Sequence, residues 1–526
     1  MKKSVFSFFF LLAAMILSAQ EAELPVLTFE EALQRAITSS YTVQLKQAAV
    51  LAARARLKSA KAGTDITVGA SGTYTKQHTP YDDDPYYGGN GIDDIESSQI
   101  SSSLWLQKAF SFGLQSRLSL GIASTLSNYH GNDAVEKYYE QTYGTDYYNR
   151  GTTELAFSLP LFKSFNASVT ANNIKAAEAY YRQLEYELTD SICQTLLSCA
   201  SAYWAYLTAH SNLRQLEEMQ QALQKRSDSM ERLIQAGLQS KTDLLAMQVS
   251  LIENERNITK AQINYKQSLL SLMQTLGMDT EKESIGNPNY TFPALDFSNL
   301  TLPSEADIDS AFLSRVYADR ADFQALKKQV EAAEASLRAA IAESRPDAAI
   351  NFAVGSTGAV YGDSLSDFIH SFSENVPGSN ISGGISFSMA IPNNGRKASV
   401  ESAQASYKQA QVQFLNAKNT LSLQLKNAVS QLNSWHKHVV NAKNALELQQ
   451  QLYENEQRRF SSGLITVNDM SNQDSKYLDA QIQYYQIMID YFRSVLEYKY
   501  YTGTLAEVTD GSENILNSEK LYAIEP

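Results

Sequence analysis

Two short motifs place side-chain oxygens just after a glycine–leucine pair. One runs from Gly237-Leu238 to Thr242-Asp243 and the other from Gly463-Leu464 to Asn468-Asp469, with the aspartate six residues after the glycine in both. Glycine permits the left-handed or tight backbone with which two antiparallel helices reverse, and the leucine beside it leaves an exposed apolar knob for a partner. Threonine or asparagine followed by aspartate suits the start of a return helix, where side-chain oxygens cap free amides and negative charge meets the helix dipole. By residue chemistry alone Thr242, Asp243, Asn468 and Asp469 read as caps.

Other reactive side chains point away from catalysis. No phosphate-binding glycine loop, zinc-type His/Cys cluster or Gly-x-Ser-x-Gly motif occurs, so the chain reads as a non-enzyme with no cofactor and no metal. The six histidines are scattered, and His436 and His438 fall on different helix faces. Cys193 and Cys199 lie six apart in one predicted helix, roughly 9 Å along its axis, and read as packing residues. The Asp82–Asp84 cluster lacks the spacing of a calcium loop and reads as solvated. A net charge of −13 argues against a nucleic-acid partner.

The elements that must position the two motifs are long helices. Pro160 to Pro288 and Pro392 to Pro526 contain no internal proline, and each tract holds glycines forty residues apart, Gly237/Gly277 and Gly463/Gly503. Proline and glycine are the main helix breakers, so the spacing predicts long helices over about 163–236 and 396–461, with return helices over 241–276 and 467–502. A first helix is expected over 28–62 and its counterpart over 305–344. Leu421, Leu425, Ala428, Leu432, Trp435, Val439, Ala442 and Leu446 follow a heptad seam. Ile192, Leu196, Cys199, Tyr203, Tyr206, His210 and Leu213 form a similar stripe, with His210 read as packed or pore-facing.

Between the helices lie β-rich regions, 64–161 and 347–391. Asp65–Tyr74, Ser98–Leu106, Leu114–Thr125, Thr152–Leu161, Ala348–Gly355 and Ile381–Ile391 have strand composition or period-two alternation, at lengths that suit barrel strands crossing a bilayer. Tyr74, Trp105, Phe110, Phe112 and Phe157 sit at or near segment ends, as in an interfacial girdle. Too few strands occur in one chain to close a membrane barrel, so subunits must share it. The domain plan is a signal peptide over 1–20 and two copies of one helix–strand–helix unit over 21–288 and 289–526. Met1-Lys2-Lys3, an apolar core from Val5 to Leu17 and small residues at Ser18-Ala19 form the signal, and no cysteine near the cleavage site favours a lipid anchor.

Over nearly its whole mature length the chain resembles the TolC family of outer-membrane efflux and secretion channels. The most specific match is Arg459-Phe460-Ser461-Ser462-Gly463-Leu464-Ile465-Thr466-Val467-Asn468-Asp469, similar to the family's periplasmic helix-turn-helix tip, and Arg232 to Asp243 repeats it. Phe387 to Gly395 and Phe157 to Phe162 look like its strand-to-helix junctions. The resemblance implies an α+β membrane protein, a trimeric β-barrel continuous with a long periplasmic α-helical barrel. It places Asp469 in the ring of carboxylates at the periplasmic aperture, with Asn472 at the family's second acidic position and Asp243 in the first repeat's equivalent turn. It makes Gly237, Leu238, Gly463 and Leu464 adaptor-docking tips. The implied partners are two further copies of the chain, a periplasmic adaptor, an inner-membrane pump of RND or ABC type and outer-membrane lipid, with location in the cell outer membrane and a periplasmic extension. The implied function is a passive exit duct for small molecules or proteins; a secreted coiled-coil structural or adhesin-like protein is the alternative. The first β-region is much longer than the second, and the expectation is the family's usual four strands per protomer, with an inserted hairpin partly outside the membrane. Loops rich in tyrosine and acid, at 81–94 and 138–148, are assigned to the extracellular mouth.

Overall fold

The computed structural model describes residues 27–80, 92–131, 147–164, 168–235, 240–281, 283–286 and 302–505, with short stretches at 133–134, 137–138 and 141. The signal segment, Gly237, Leu238 and the Asp82–Asp84 cluster lie outside the described residues. In chain order the elements begin with α1 (Phe29–Ser39), α2 (Tyr41–Ala62), β1 (Ile66–Pro80), β2 (Ile92–Ala109), β3 (Gln115–Gly131) and β4 (Tyr148–Pro160). Then come α3 (Val169–Gln235), α4 (Lys241–Thr275), α5 (Ser310–Asp319), α6 (Ala321–Ser344) and β5 (Asp347–Tyr361). The chain continues through α7 (Leu365–His370), β6 (Ser379–Ser388), α8 (Asn394–Ser461) and α9 (Val467–Thr502). It divides into two compact units, one of residues 1–51, 183–326 and 414–526, the other of residues 52–182 and 327–413. Each draws on both halves of the sequence.

The first unit is helical. Its long elements α3 and α8 comprise 67 and 68 residues in all, and a helix of that length runs about 100 Å. Its core lies along the heptad stripes. Leu196, Cys199, Tyr203, Tyr206, Leu425, Leu432 and Val439 are buried, and full burial of a large apolar side chain is worth roughly 1.5–3 kcal/mol. Phe29, the first residue of α1, stacks on Trp204 with ring centroids 5.3 Å apart, and Trp204 meets Phe492 at 5.8 Å. A capping box holds α1 in place: Glu31 N donates to Thr28 Oγ1 at 3.2 Å and Thr28 N donates to Glu31 Oε2 at 2.9 Å. Both cysteines are buried, and burial pushes each thiol up to about 12. They pack as expected.

Two helices expected to be continuous are broken. The 28–62 segment bends at Ser40 (φ −59°, ψ 130°) and the 305–344 segment at Arg320 (φ −72°, ψ 122°). The cause lies at the far ends of the return helices. Gly277 and Gly503 both take left-handed φ, 66° and 86°, and their backbones press against Ser39–Ser40 and Asp319–Arg320 respectively. A Cβ on Gly503 would sit 3.1 Å from the Arg320 nitrogen. The same bend and the same glycine contact occur in both halves.

The second unit contains a six-stranded antiparallel sheet in the order β1-β2-β3-β4-β5-β6. All six expected strand segments are present, and the inserted hairpin belongs to the same sheet: β2 and β3 pair along the whole of β3, from Ala109↔Gln115 to Ile92↔Gly131. A tight turn joins them, in which Phe110 N donates to Leu114 O at 2.8 Å and Gly113 takes φ 106°. The halves of the chain fuse through β4 and β5, registered from Tyr148↔Tyr361 to Pro160↔Ala349. Trp105 packs within the sheet. Its ring packs on Gly69, its register partner in β1, with the Arg117 guanidinium 5.0 Å above it.

Candidate functional site

The turn between α8 and α9 is built by its own sequence. Gly463 takes φ 72°, Leu464 N reaches back to Arg459 O at 2.9 Å and Gly463 N reaches Phe460 O at 2.9 Å, so the last carbonyls of α8 are satisfied. No atom stands within 4 Å of a Cβ built on Gly463. Glycine is therefore required here by backbone conformation, not by crowding. Leu464 is 69% exposed, as the knob reading requires.

Thr466 is the N-cap of α9, with Asp469 as the third residue of a capping box. Asp469 N donates to Thr466 Oγ1 at 3.2 Å, while the Asp469 carboxylate accepts from Thr466 N at 3.1 Å and from the Thr466 hydroxyl at 2.6 Å. Those bonds from the Thr466 hydroxyl and then its backbone amide hold the Asp469 carboxyl below its ordinary value. Asp469 is thus an exposed, ionised carboxylate fixed at the start of α9, with Asn472 also exposed one turn on. In the first turn the cap is Ser240, whose hydroxyl accepts from Thr242 N at 3.1 Å. Asp243 falls in the first turn of α4. The N-caps are accordingly Thr466 and Ser240, two residues ahead of Asn468 and Thr242, and Asp469 completes the box at Thr466.

Sequence reasoning missed the strongest polar link near this turn. Asp474, only 7% exposed, receives both terminal nitrogens of Arg226: Nη1 bonds Oδ2, and Nη2 donates to Oδ1 at 3.1 Å. Burial works against the Arg226 charge, but the Asp474 carboxylate outweighs it and the guanidinium stays above its usual pKa. The Arg226 guanidinium also lies 5.9 Å from the Phe460 ring. Arg226 is on α3, Asp474 on α9 and Phe460 on α8, so one ion pair gathers three helices. Tyr453 of α8 stacks on Tyr477 of α9 at 4.7 Å, and Ser471 of α9 reaches Ser250 of α4 at 3.3 Å. Leu223, Met230 and Met247 make a small apolar cluster joining α3 to α4 beside them. The signal that pointed toward Asp474 was its place five residues past Asp469; Arg226 lies 248 residues away in sequence, and nothing local marks it.

The arrangement can hold a reversing helix pair closed and present an exposed leucine and carboxylate at its end. Among its described residues no acid–base dyad or activated nucleophile is assembled. Among the described residues no group of three or more His, Cys, Asp or Glu is placed to hold a metal ion, and no helix is long and apolar enough to cross a membrane.

The sequence profile of the family described as outer membrane efflux protein matches residues 113–278 and 312–495. No curated protein sequence matches the chain. Solved structures do. The CmeC outer membrane channel of Campylobacter jejuni is 14% identical, with TM-score 0.64 over 96% of this chain and 93% of that one. The outer-membrane channel OprN is 15% identical, with TM-score 0.62 over 92% and 93%. The outer membrane protein VceC of Vibrio cholerae is 16% identical, with TM-score 0.59 over 90% and 96%. At such identities the likeness is one of fold.

Proposed function

The chain belongs to the outer membrane efflux protein family, and from that premise we propose that it forms the trimeric exit duct of a tripartite efflux system. The family is one of channels and not of enzymes, and it places the protein in the outer membrane. The observation that carries the finer reading is the pairing of an open six-stranded sheet with two long helical hairpins in one chain. An open sheet in lipid leaves edge amides and carbonyls unpaired, so copies of the chain must close it. A secreted coiled coil would have no use for such a sheet.

A periplasmic adaptor docks on the Gly463-Leu464 tip and its Gly237-Leu238 counterpart, and an inner-membrane pump supplies the energy. Three copies of Asp469, with Asn472 behind them, line the periplasmic aperture, and Asp243 takes the corresponding place in the first repeat's turn. The Arg226–Asp474 pair keeps each protomer's helices drawn together, so opening requires that pair to loosen or to move as a body. The reading of 21–288 and 289–526 as two copies of one unit is supported by the paired helix breaks at Ser40 and Arg320. Drug-susceptibility profiling of a deletion strain tests the function. Increased sensitivity to several small toxic compounds, reversed by the wild-type gene, is expected; unchanged sensitivity together with failure to conduct ions in planar bilayers would reject it.

A further inference from the structure

The geometry points to β2 and β3 as full membrane strands, so that the shared barrel has six strands per protomer and eighteen per trimer. This rests on the trimeric membrane reading above, and it adds the width of the outer-membrane pore. Cross-strand register decides which side chains share a face. On one face lie Val68 of β1, Leu106 and Leu104 of β2, and Leu118 and Leu120 of β3, linked by the pairs Val68↔Leu106, Leu106↔Leu118 and Leu104↔Leu120. The row continues through Leu155 of β4, Val354 of β5 and Ile381 of β6, by the pairs Leu118↔Leu155, Leu155↔Val354 and Val354↔Ile381.

Much of this apolar row is exposed. Val68 is 71% exposed, Leu104 57%, Leu120 41% and Ile385 77%. A soluble sheet buries such a face, whereas a lipid-facing one leaves it open to hydrocarbon. The opposite face carries Ser71, Ser101, Ser103, Ser119, Thr152 and Asn351, with Ser71 and Ser103 hydroxyls bonded at 2.8 Å. The hairpin follows the same division as its neighbours. Over the stretch Ile100–Leu106 it interrupts neither the apolar row nor the polar one, as a hairpin standing in water would.

Length and turn chemistry agree. β2 and β3 have 18 and 17 residues, more than the roughly 9–11 that cross a bilayer. Their joining turn at Phe110–Leu114 is of the short kind that outer-membrane barrels place on the periplasmic side. It is anchored to the α3 end of the chain, where the Ser168 hydroxyl donates to Ser111 O at 2.6 Å. Phe110 and Phe112 meet there at 5.5 Å, with the Lys108 ammonium 5.5 Å from the Phe110 ring, an aromatic and basic pairing suited to a membrane interface.

Closure is with further copies of the same chain. Six antiparallel strands leave β1 and β6 running in opposite directions at the two free edges, so β6 of one copy can continue antiparallel onto β1 of the next. Three copies then give eighteen strands. Barrel diameter grows roughly linearly with strand number, so this barrel is about 1.5-fold wider than one of twelve strands and falls among barrels that enclose an aqueous channel. The added hairpin also brings the Trp105–Arg117 pair to the polar, lumenal face.

Spin labels test the assignment in the full-length protein reconstituted in liposomes. Cysteines are introduced singly by Leu104→Cys and Leu120→Cys on the apolar face, Ser101→Cys and Ser119→Cys on the polar face, and Val68→Cys and Ile385→Cys as controls on β1 and β6. The native thiols are buried, and labelling of the wild type measures their background. Collision with oxygen relative to a nickel chelate is expected to be several-fold higher at Leu104 and Leu120 than at Ser101 and Ser119, and to equal that at Val68 and Ile385. Leu104 and Leu120 matching the serines while Val68 and Ile385 remain lipid-exposed would overturn the six-strand barrel and leave the membrane channel intact. Loss of lipid exposure at Val68 and Ile385 as well would instead overturn the membrane reading itself. Native mass spectrometry is expected to count three chains, and any other number overturns eighteen.

Discussion

Asp469 shows two demands meeting in one side chain. Its carboxylate closes the capping box with Thr466, and its exposure leaves its charge free for the aperture role proposed above. Because its folded pKa lies below its unfolded value, its contribution is fully present above the ordinary carboxylate value and is lost as pH falls through the depressed one. Amide protection in the first turn of α9 should therefore hold at neutral pH and drop in acid, as hydrogen exchange would record; an Asp469→Ala variant should lose that pH dependence. Thr466→Ala removes the cap itself and should cost about 1 kcal/mol, read as local exchange. The Arg226–Asp474 pair makes a stronger prediction. Asp474→Ala leaves a buried guanidinium without its partner, for which roughly 3–5 kcal/mol is typical. Raised single-channel conductance and a lowered thermal midpoint are expected, and an Arg226→Met/Asp474→Leu double variant should recover much of the midpoint. A single variant with wild-type conductance and midpoint would remove the pair from both roles. Asp469 was legible because its cap is local; Arg226 and Asp474 were not, because burial and proximity across 248 residues leave no local trace.

At the scale of elements the four glycines carry different burdens. Gly463 needs only its left-handed φ, since open space surrounds it. Gly463→Ala should therefore cost about 1–2 kcal/mol from backbone strain alone, and Gly463→Asn less. Gly503→Ala meets both the strain and the Asp319–Arg320 backbone, so it should be the more damaging of the two when thermal midpoints in detergent are compared. Equal losses would show that the close contact carries no weight. The helix lengths, return helices and heptad stripes could be read from glycine spacing and periodicity. The breaks at Ser40 and Arg320 could not, because neither has a proline or glycine of its own; each exists because another helix ends against it.

For the whole molecule, the sheet sets what the channel can be. Its two halves come from distant parts of the chain and join only at β4–β5, so neither repeat can present its strands correctly alone. Expression of either half by itself should give no detergent-stable trimer, as size-exclusion chromatography would show; trimers formed from one half would contradict this. The amino-acid sequence by itself determined the long helices, their capped turns, the strand segments and the family, because these follow from local propensity, periodicity and short motifs. Tertiary structure alone decided the helix breaks, the Arg226–Asp474 link, the position of Trp105 over Gly69 and the membership of β2–β3 in one six-stranded sheet. Each of those depends on which distant backbones and charges meet, and pairing energy between remote segments is not written in either segment separately.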